Sequence, residues 1–194
     1  QFTGNFAQPG PAVEKLLYYF PGAVPFQFLS AGARNSALII GPGGGRDILL
    51  AGAAGFTNIA GAEVNPDLLQ LMREHSDYNG GLYSGFDHIT VHQAEGRHFV
   101  QRDTSQYDLI MMSLPVTNTS RSREGHSLTE NFLLTEEALG DYFHHLTDHG
   151  QLVVITHDEL AVVRLLRVAL EVMADQGIDS KTAMQPIYVL GSFP

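Results

Sequence analysis

Ala37-Leu38-Ile39-Ile40-Gly41-Pro42-Gly43-Gly44-Gly45-Arg46-Asp47 is the stretch on which the fold turns. Four apolar residues in a row, with no polar alternation, predict a strand buried on both faces. The glycines after it predict a tight turn, because glycine adopts positive φ and lets the backbone approach a neighbour closely. Asp47 to Ala54 then reads as a helix ended by Gly55. A buried strand, a glycine turn and a helix form the opening unit of a parallel α/β sheet.

Working outward, the same alternation repeats. Asn58 to Val64 reads as a strand, and Pro66 opens a helix at its favoured first position with Asn65 as N-cap. That helix is expected to reach about Tyr78, where Asn79-Gly80-Gly81 breaks it. His88 to Gln93 is a third strand, followed by Glu95-Gly96-Arg97 and a short helix through Arg102. Tyr107 to Leu114 is a fourth, stopped by Pro115. Thr117 to Ser127 is polar and aperiodic, a loop of a length that usually serves a purpose such as covering a site. Thr135 to His149 reads as a helix ended by Gly150, Leu152 to Thr156 as a strand, Asp158 to Gln176 as a long amphipathic helix and Ile187 to Leu190 as a last short strand. The expectation is a doubly wound, mostly parallel sheet of Rossmann-like type over residues 37–194. Residues 1–36, rich in Pro, Gly and aromatics, read as an extension. A short helix over Val13 to Phe20 is stopped there by Pro21, and Tyr18, Tyr19, Phe20, Phe26 and Phe28 are expected to pack.

Composition narrows the partners. The 194 residues are 44% hydrophobic and 16% charged, as in a globular domain, with a formal net charge of -10. Lys15 and Lys181 are the sole lysines. A surface of that sign repels phosphate backbones, so nucleic acid is not expected as a partner, whereas a cationic acceptor such as an amine is compatible. The absence of cysteine excludes disulfides, thiolate nucleophiles and cysteine metal sites. No apolar run approaches a membrane span and no signal segment opens the chain, so a cytoplasmic location is expected, with any membrane portion outside this sequence. The first residue, Gln1, suggests a processed chain or a segment of a longer one. A homodimer is an open alternative for the assembly.

The glycine turn lies where such sheets bind ligands, beyond the carboxyl ends of the strands. Its helix aims free N–H groups at the occupant, which could be a pyrophosphate or the carboxylate of a methionine moiety. A dinucleotide loop, G-x-G-x-x-G, wants a small third residue; here that position is Arg46. Gly41, Gly43 and Gly45 instead form G-x-G-x-G, a pattern associated with S-adenosylmethionine-dependent enzymes. Glu63, 18 residues beyond Gly45, ends the second strand where a carboxylate can accept from both ribose hydroxyls, although nicotinamide enzymes also place an acid there. Glu95 ends the third strand, where it can read an adenine amino group or serve the next helix dipole. The candidate cofactor-binding set is Gly41, Pro42, Gly43, Gly45, Asp47, Glu63, Val64, Glu95, Gly96 and Ser113.

These residues resemble a known family. Leu38-Ile-Ile-Gly-Pro-Gly-Gly-Gly-Arg-Asp47, Glu63-Val-Asn-Pro66, Glu95-Gly-Arg97 and Tyr107-Asp-Leu-Ile110 are similar, in order and spacing over about residues 37–175, to the spermidine synthase-like group of the class I S-adenosylmethionine-dependent methyltransferase superfamily. Leu128-Thr-Glu-Asn-Phe-Leu-Leu-Thr135 and Asp141-Tyr-Phe-His-His-Leu146 look like its bacterial branch, many of whose members carry membrane-spanning segments before this domain. The resemblance implies a transferase acting on the sulfonium of S-adenosylmethionine or its decarboxylated form. It also implies an aspartate where Gly44 stands, holding an aminopropyl ammonium, and an aspartate base after the fourth strand. The chain has Ser113-Leu114-Pro115-Val116-Thr117 there instead, and a hydroxyl cannot take a proton from an ammonium at neutral pH. Glu124, His126 and Glu130, in or just past the long loop, are the candidate catalytic residues.

Other groups carry blander readings. His145 and His149, four apart on the expected helix, could form half a metal site without a visible third ligand, and histidines near a helix C-terminus favour the dipole anyway. His88 and His92 read as solvated, Arg121 and Arg123 as loop residues, and Met111-Met112 as core. Ser113 lacks a nucleophile elbow. Three functions follow for comparison: an alkyl transferase, a ligand-sensing module that kept the nucleoside pocket and lost its base, and a dinucleotide oxidoreductase.

Overall fold

A central strand with no polar position needs a core on each side, and the chain builds two. The computed structural model describes residues 15, 18–29, 32–113, 132–156 and 159–191. Strand β1 (Ser36–Ile40) lies between β2 (Asn58–Glu63) and β4 (Tyr107–Ser113), with β3 (Ile89–Gln93) outside β2 and β5 (Leu146–Ile155) outside β4. The order is β3-β2-β1-β4-β5 and every pair is parallel. The expected doubly wound α/β class is therefore what the chain adopts.

Alternate residues feed the two cores. Ala37, Ile39, Leu109 and Met111 pack with Ile48 and Leu50 of α2 (Arg46–Ala53) and Leu69 of α3 (Pro66–Glu74). Leu38, Ile40, Ile110 and Met112 pack on the other face with Val100 of α5 (Gly96–Arg102), Leu139 and Tyr142 of α6 (Glu136–His144) and Val172 of α7 (Glu159–Asp175). Leu38, Ile39, Ile110 and Met111 are 0% exposed, so each contributes about 1.5–3 kcal/mol of burial. Because β1 is followed by β2 on one side and β4 on the other, the chain changes direction between β1 and β4, which puts a crevice at their carboxyl ends.

Three further short α-helices are α1 (Pro25–Phe28), α4 (Ser76–Asn79) and α8 (Ser180–Met184), and single 3-10 turns form at Pro21–Ala23 and Phe132–Leu134. Phe26 of α1 is buried edge-on to Phe56, with ring centroids 6.3 Å apart. The Arg34 guanidinium ties that segment down through the carbonyls of Phe26, Leu29 and Ala54. Among the described residues no helix is long and apolar enough to cross a membrane.

Several expectations need correction. Tyr18 and Tyr19 do not pack; they are 79% and 83% exposed. The helix from Pro66 stops at Glu74 and restarts at Ser76, with His75 in a non-helical conformation between them. The helix expected from Thr135 to His149 ends at His144. Leu146 to Gly150 belong to β5, and Gly150 is no helix terminator. A Cβ at Gly150 would stand 2.6 Å from the Tyr107 carbonyl oxygen, so glycine is required where β5 shifts register against β4. No strand forms at Ile187 to Leu190; Tyr188 stacks on Phe28 at 5.6 Å, and the residues ahead of it form α8, capped by Asp179. Half of the expected helix over Val13 to Phe20, and the loop from Thr117 to Ser127, lie outside the described residues.

Candidate ligand site at the carboxyl edge of the sheet

Parallel pairing brings the ends of β1, β2, β3 and β4 to one edge, and the glycine turn crosses it. Gly41, Gly43 and Gly45 take φ of 65°, 55° and 84°, so each position of the G-x-G-x-G pattern is one where a side chain is strained. The turn is tethered by Gly41 N–H to the Ala62 carbonyl (2.9 Å) and Gly45 N–H to the Pro42 carbonyl (2.8 Å). Pro42 is buried over β2, and a Cβ on Gly61 would meet its ring at 3.4 Å. Leu49 N–H continues into the Gly45 carbonyl at 2.9 Å, which carries the turn into α2.

Glu63 faces this turn. Its carboxylate is buried, with Oε2 accepting from Gly43 N–H at 3.1 Å and Oε1 from Asn65 N–H at 2.9 Å. Asn65 in turn caps α3 as expected, its Oδ1 accepting from Asp67 and Leu68 N–H. Two backbone bonds occupy half of the roughly four acceptor positions of a carboxylate. Val64, next along, is exposed.

Asp47 sits in the first turn of α2, 3% exposed, beside the Arg46 guanidinium at 3.1 Å. Arg46 Cζ also stands 4.4 Å from the centroid of the Phe20 ring, a cation–π contact that folds this long side chain back from the turn. Glu95 caps α5 with both oxygens, Oε1 on Arg97 N–H at 3.1 Å and Oε2 on His98 N–H at 2.8 Å. Gly96 is buried where a Cβ would come 2.4 Å from Ile40 Cγ2 and 3.1 Å from Leu133 Cδ2, so α5 begins in contact with the end of β1. Ser113 ends β4, and its Oγ is buried with no hydrogen-bond partner among the described residues.

The structure thus brings Gly41, Pro42, Gly43, Gly45, Asp47 and Glu63 around one turn, with Val64, Glu95, Gly96 and Ser113 at the ends of the neighbouring strands. Glu124, His126 and Glu130 lie outside the described residues. His145 and His149 are not a helical pair: His145 caps α6 and aims its two ring nitrogens at the Asp141 and Asp103 carbonyls (2.8 and 3.0 Å), while His149 is exposed on β5. His92 lies against the Phe99 ring, with centroids 5.1 Å apart.

Two residues of the site escaped the sequence. Tyr83 Oη donates to the Gly43 carbonyl at 2.6 Å, and Leu82 lies so close that a Cβ on Gly45 would meet its Cδ2 at 2.2 Å. Burial pushes the Tyr83 phenol well above its usual range, and the charges of Glu63 and Asp47 push the same way. The one available signal was an aromatic two residues after the Gly80-Gly81 helix break, in a segment that carries no period.

No family model and no curated protein matches this chain. Solved structures do. The chain superposes on human methyltransferase-like protein 13 in complex with SAH with a TM-score of 0.57 at 16% identity, covering 82% of this chain and 73% of that one. A spermidine synthase in complex with the transition state analogue AdoDATO gives 0.56 at 17% identity over 84% of this chain and 50% of that one. The ribosomal protein L11 methylase from Lactobacillus delbrueckii subsp. bulgaricus gives 0.55 at 12% identity over 78% of this chain. At such identities the likeness is one of fold, and the chain spans 66% of the methylase and half of the synthase.

Proposed function

We propose that this chain is a transferase domain that binds S-adenosylmethionine or decarboxylated S-adenosylmethionine and passes a methyl or aminopropyl group to a small acceptor, with an amine as the acceptor best suited to the acidic chain. The reading rests on the contact between Glu63 and Gly43. A buried carboxylate with acceptor capacity to spare is held against a glycine turn at the mouth of the crevice, where ribose hydroxyls can donate to it. Val64 would lie against the base, and the backbone around Glu95 and Gly96 would read its edge.

Electrostatics favours a sulfonium over a pyrophosphate. Asp47 and Glu63 are 3% and 6% exposed beside the turn. An anionic pyrophosphate brought there adds like charge, whereas a cation is attracted. In the transfer, the acceptor's lone pair forms a bond to the carbon on sulfur while the carbon–sulfur bond breaks, and its electron pair leaves sulfur a neutral thioether. An ammonium acceptor must first lose a proton. Glu124, His126 and Glu130 are the candidates to take it. An acceptor already nucleophilic needs only proximity and alignment.

One observation favours a second reading. Ser113 ends β4 with a hydroxyl that has no hydrogen-bond partner among the described residues, and the sequence from Ser113 to Thr117 carries no carboxylate. A module that senses adenosyl ligands without turning them over accounts for that equally well.

Calorimetric titration of S-adenosylmethionine, decarboxylated S-adenosylmethionine, methylthioadenosine and NAD tests both readings. Binding of the adenosyl ligands, with turnover on a panel of amines, supports the transferase. Binding without turnover favours the sensor, and binding of NAD alone overturns both.

A further inference from the structure

We propose that Tyr83 is a positioning residue that sets the orientation of the Gly43–Gly44 peptide and thereby presents the Gly44 N–H to the amino-acid tail of the ligand. The inference rests on the adenosyl reading above and adds a residue and a ligand preference to it.

Gly43 has no side chain to hold it, and at φ 55° its neighbouring peptides have few conformational restraints of their own. Two side chains supply them from different elements. Glu63, at the end of β2, takes the N–H of Gly43 at 3.1 Å. Tyr83, in the connection before β3, donates to its carbonyl at 2.6 Å. In a trans peptide the carbonyl of one residue and the N–H of the next point in opposite directions. Fixing the Gly43 carbonyl on Tyr83 therefore turns the Gly44 N–H away from Tyr83. Gly44 is exposed, its Cβ position has no atom within 4 Å, and its N–H meets no protein acceptor among the described residues. The turn thus offers one free donor in open space.

Tyr83 suits this task because it stays a donor. Tyr83 is 6% exposed, and its burial, together with the charges of Glu63 and Asp47, disfavours ionisation of the phenol. Its ring also packs on the turn, with Cε1 3.3 Å from the ideal Cβ position of Gly45. Tyr83→Phe keeps that packing and removes only the hydroxyl.

The ligand chemistry that matches a lone N–H in open space is the carboxylate of a zwitterionic amino-acid tail, whose ammonium offsets the like charge of Asp47 and Glu63 that excludes a pyrophosphate. S-adenosylhomocysteine carries one on its tail and methylthioadenosine carries no tail. Calorimetry of wild type and Tyr83→Phe with both compounds separates positioning from simple support of the turn. The expected result is about a tenfold weaker affinity of the variant for S-adenosylhomocysteine, with methylthioadenosine unchanged. Equal loss for both compounds, or loss for neither, overturns the role of Tyr83 and leaves the adenosyl reading standing. Failure of wild type to bind either compound overturns both. If Tyr83→Phe folds poorly, the wild-type protein still decides. The Gly44 amide resonance must shift with S-adenosylhomocysteine and stay in place with methylthioadenosine; the same shift with both sinks the proposal.

Discussion

Glu63 and Asp108 are carboxylates of almost equal burial, 6% and 5% exposed, at opposite edges of one sheet. Asp108 lies at the amino edge, near the start of β4. Its Oδ2 accepts from Asn35 and Ser36 N–H at 2.7 and 3.2 Å, and its Oδ1 from Thr147 Oγ1 at 2.8 Å. It therefore fastens the entry of β1 and the start of β5 to β4, and both oxygens serve the protein. Glu63 lies at the carboxyl edge with one backbone bond per oxygen and a glycine turn in front of it. Burial alone does not separate an acid that serves the fold from one proposed to serve a ligand. What separates them is the sheet edge on which each lies and how much of its acceptor capacity the protein has already used.

Breaking the amino-edge member has the largest expected effect. Asp108→Ala leaves two backbone donors and the Thr147 hydroxyl without their acceptor. The expected destabilisation is about 3 kcal/mol, read from the urea midpoint, with ligand affinity of the folded protein unchanged. A loss of affinity comparable to that of a site mutant would mean that the two edges are not independent.

At the carboxyl edge the effects reverse. Glu63→Ala is expected to weaken adenosyl-ligand binding by about 1.5–3 kcal/mol, the range for hydrogen bonds to a charged group, as measured by calorimetry. Unchanged affinity would remove the ribose assignment.

The tyrosines repeat the comparison at high pH. Tyr83 serves the glycine turn, and Tyr107 at the other edge donates to Asp103. Burial raises both phenols, with Glu63 adding to the shift at Tyr83 and the Asp103 hydrogen bond at Tyr107. Each native state therefore holds its proton more tightly than the unfolded chain does. Their contributions are fully present below the ordinary tyrosine value near 10 and are lost as pH rises above it. Absorbance at 295 nm should show Tyr83 and Tyr107 ionising only as the protein unfolds, and each Tyr→Phe variant should remove one such late step. Early ionisation of Tyr83 would mean that the turn is open to solvent.

How much of this was legible follows the same division. The buried run Ala37 to Ile40, the glycine turn and the Asn65–Pro66 helix start are local signals, and they carried both the fold and Glu63. Asp108 could be quoted from the sequence but its role could not, because its partners lie 72 and 73 residues earlier and 39 later. Tyr83 was hidden similarly: its partner, Gly43, is 40 residues away. Gly150 misled because a glycine after a helical pattern reads as a stop, whereas here it answers the close approach of the Tyr107 carbonyl. Thr117 to Ser127, in or just past which the acceptor chemistry was expected, has no local period to read.

The smallest expected effect on stability lies within the glycine turn itself, and it is the sharpest on function. Gly41, Gly43 and Gly45 sit at positive φ, but Gly44 does not, and a Cβ there meets no atom within 4 Å. Gly44 is therefore not a glycine that the backbone demands. Resemblance to the spermidine synthase-like group implies an aspartate at this position, holding an aminopropyl ammonium. Gly44→Asp should change stability by no more than about 0.5 kcal/mol, as for other exposed substitutions, while Gly45→Asp, against Leu82 and at φ 84°, should cost several times that. If the turn and Glu63 hold the nucleoside as proposed, the added carboxylate faces the tail of the ligand. Affinity should then move toward decarboxylated S-adenosylmethionine, whose tail ends in an ammonium alone, and away from S-adenosylmethionine, whose tail carboxylate it repels. A variant that folds normally and leaves the ratio of the two affinities where it was would show that the ligand's tail does not pass Gly44.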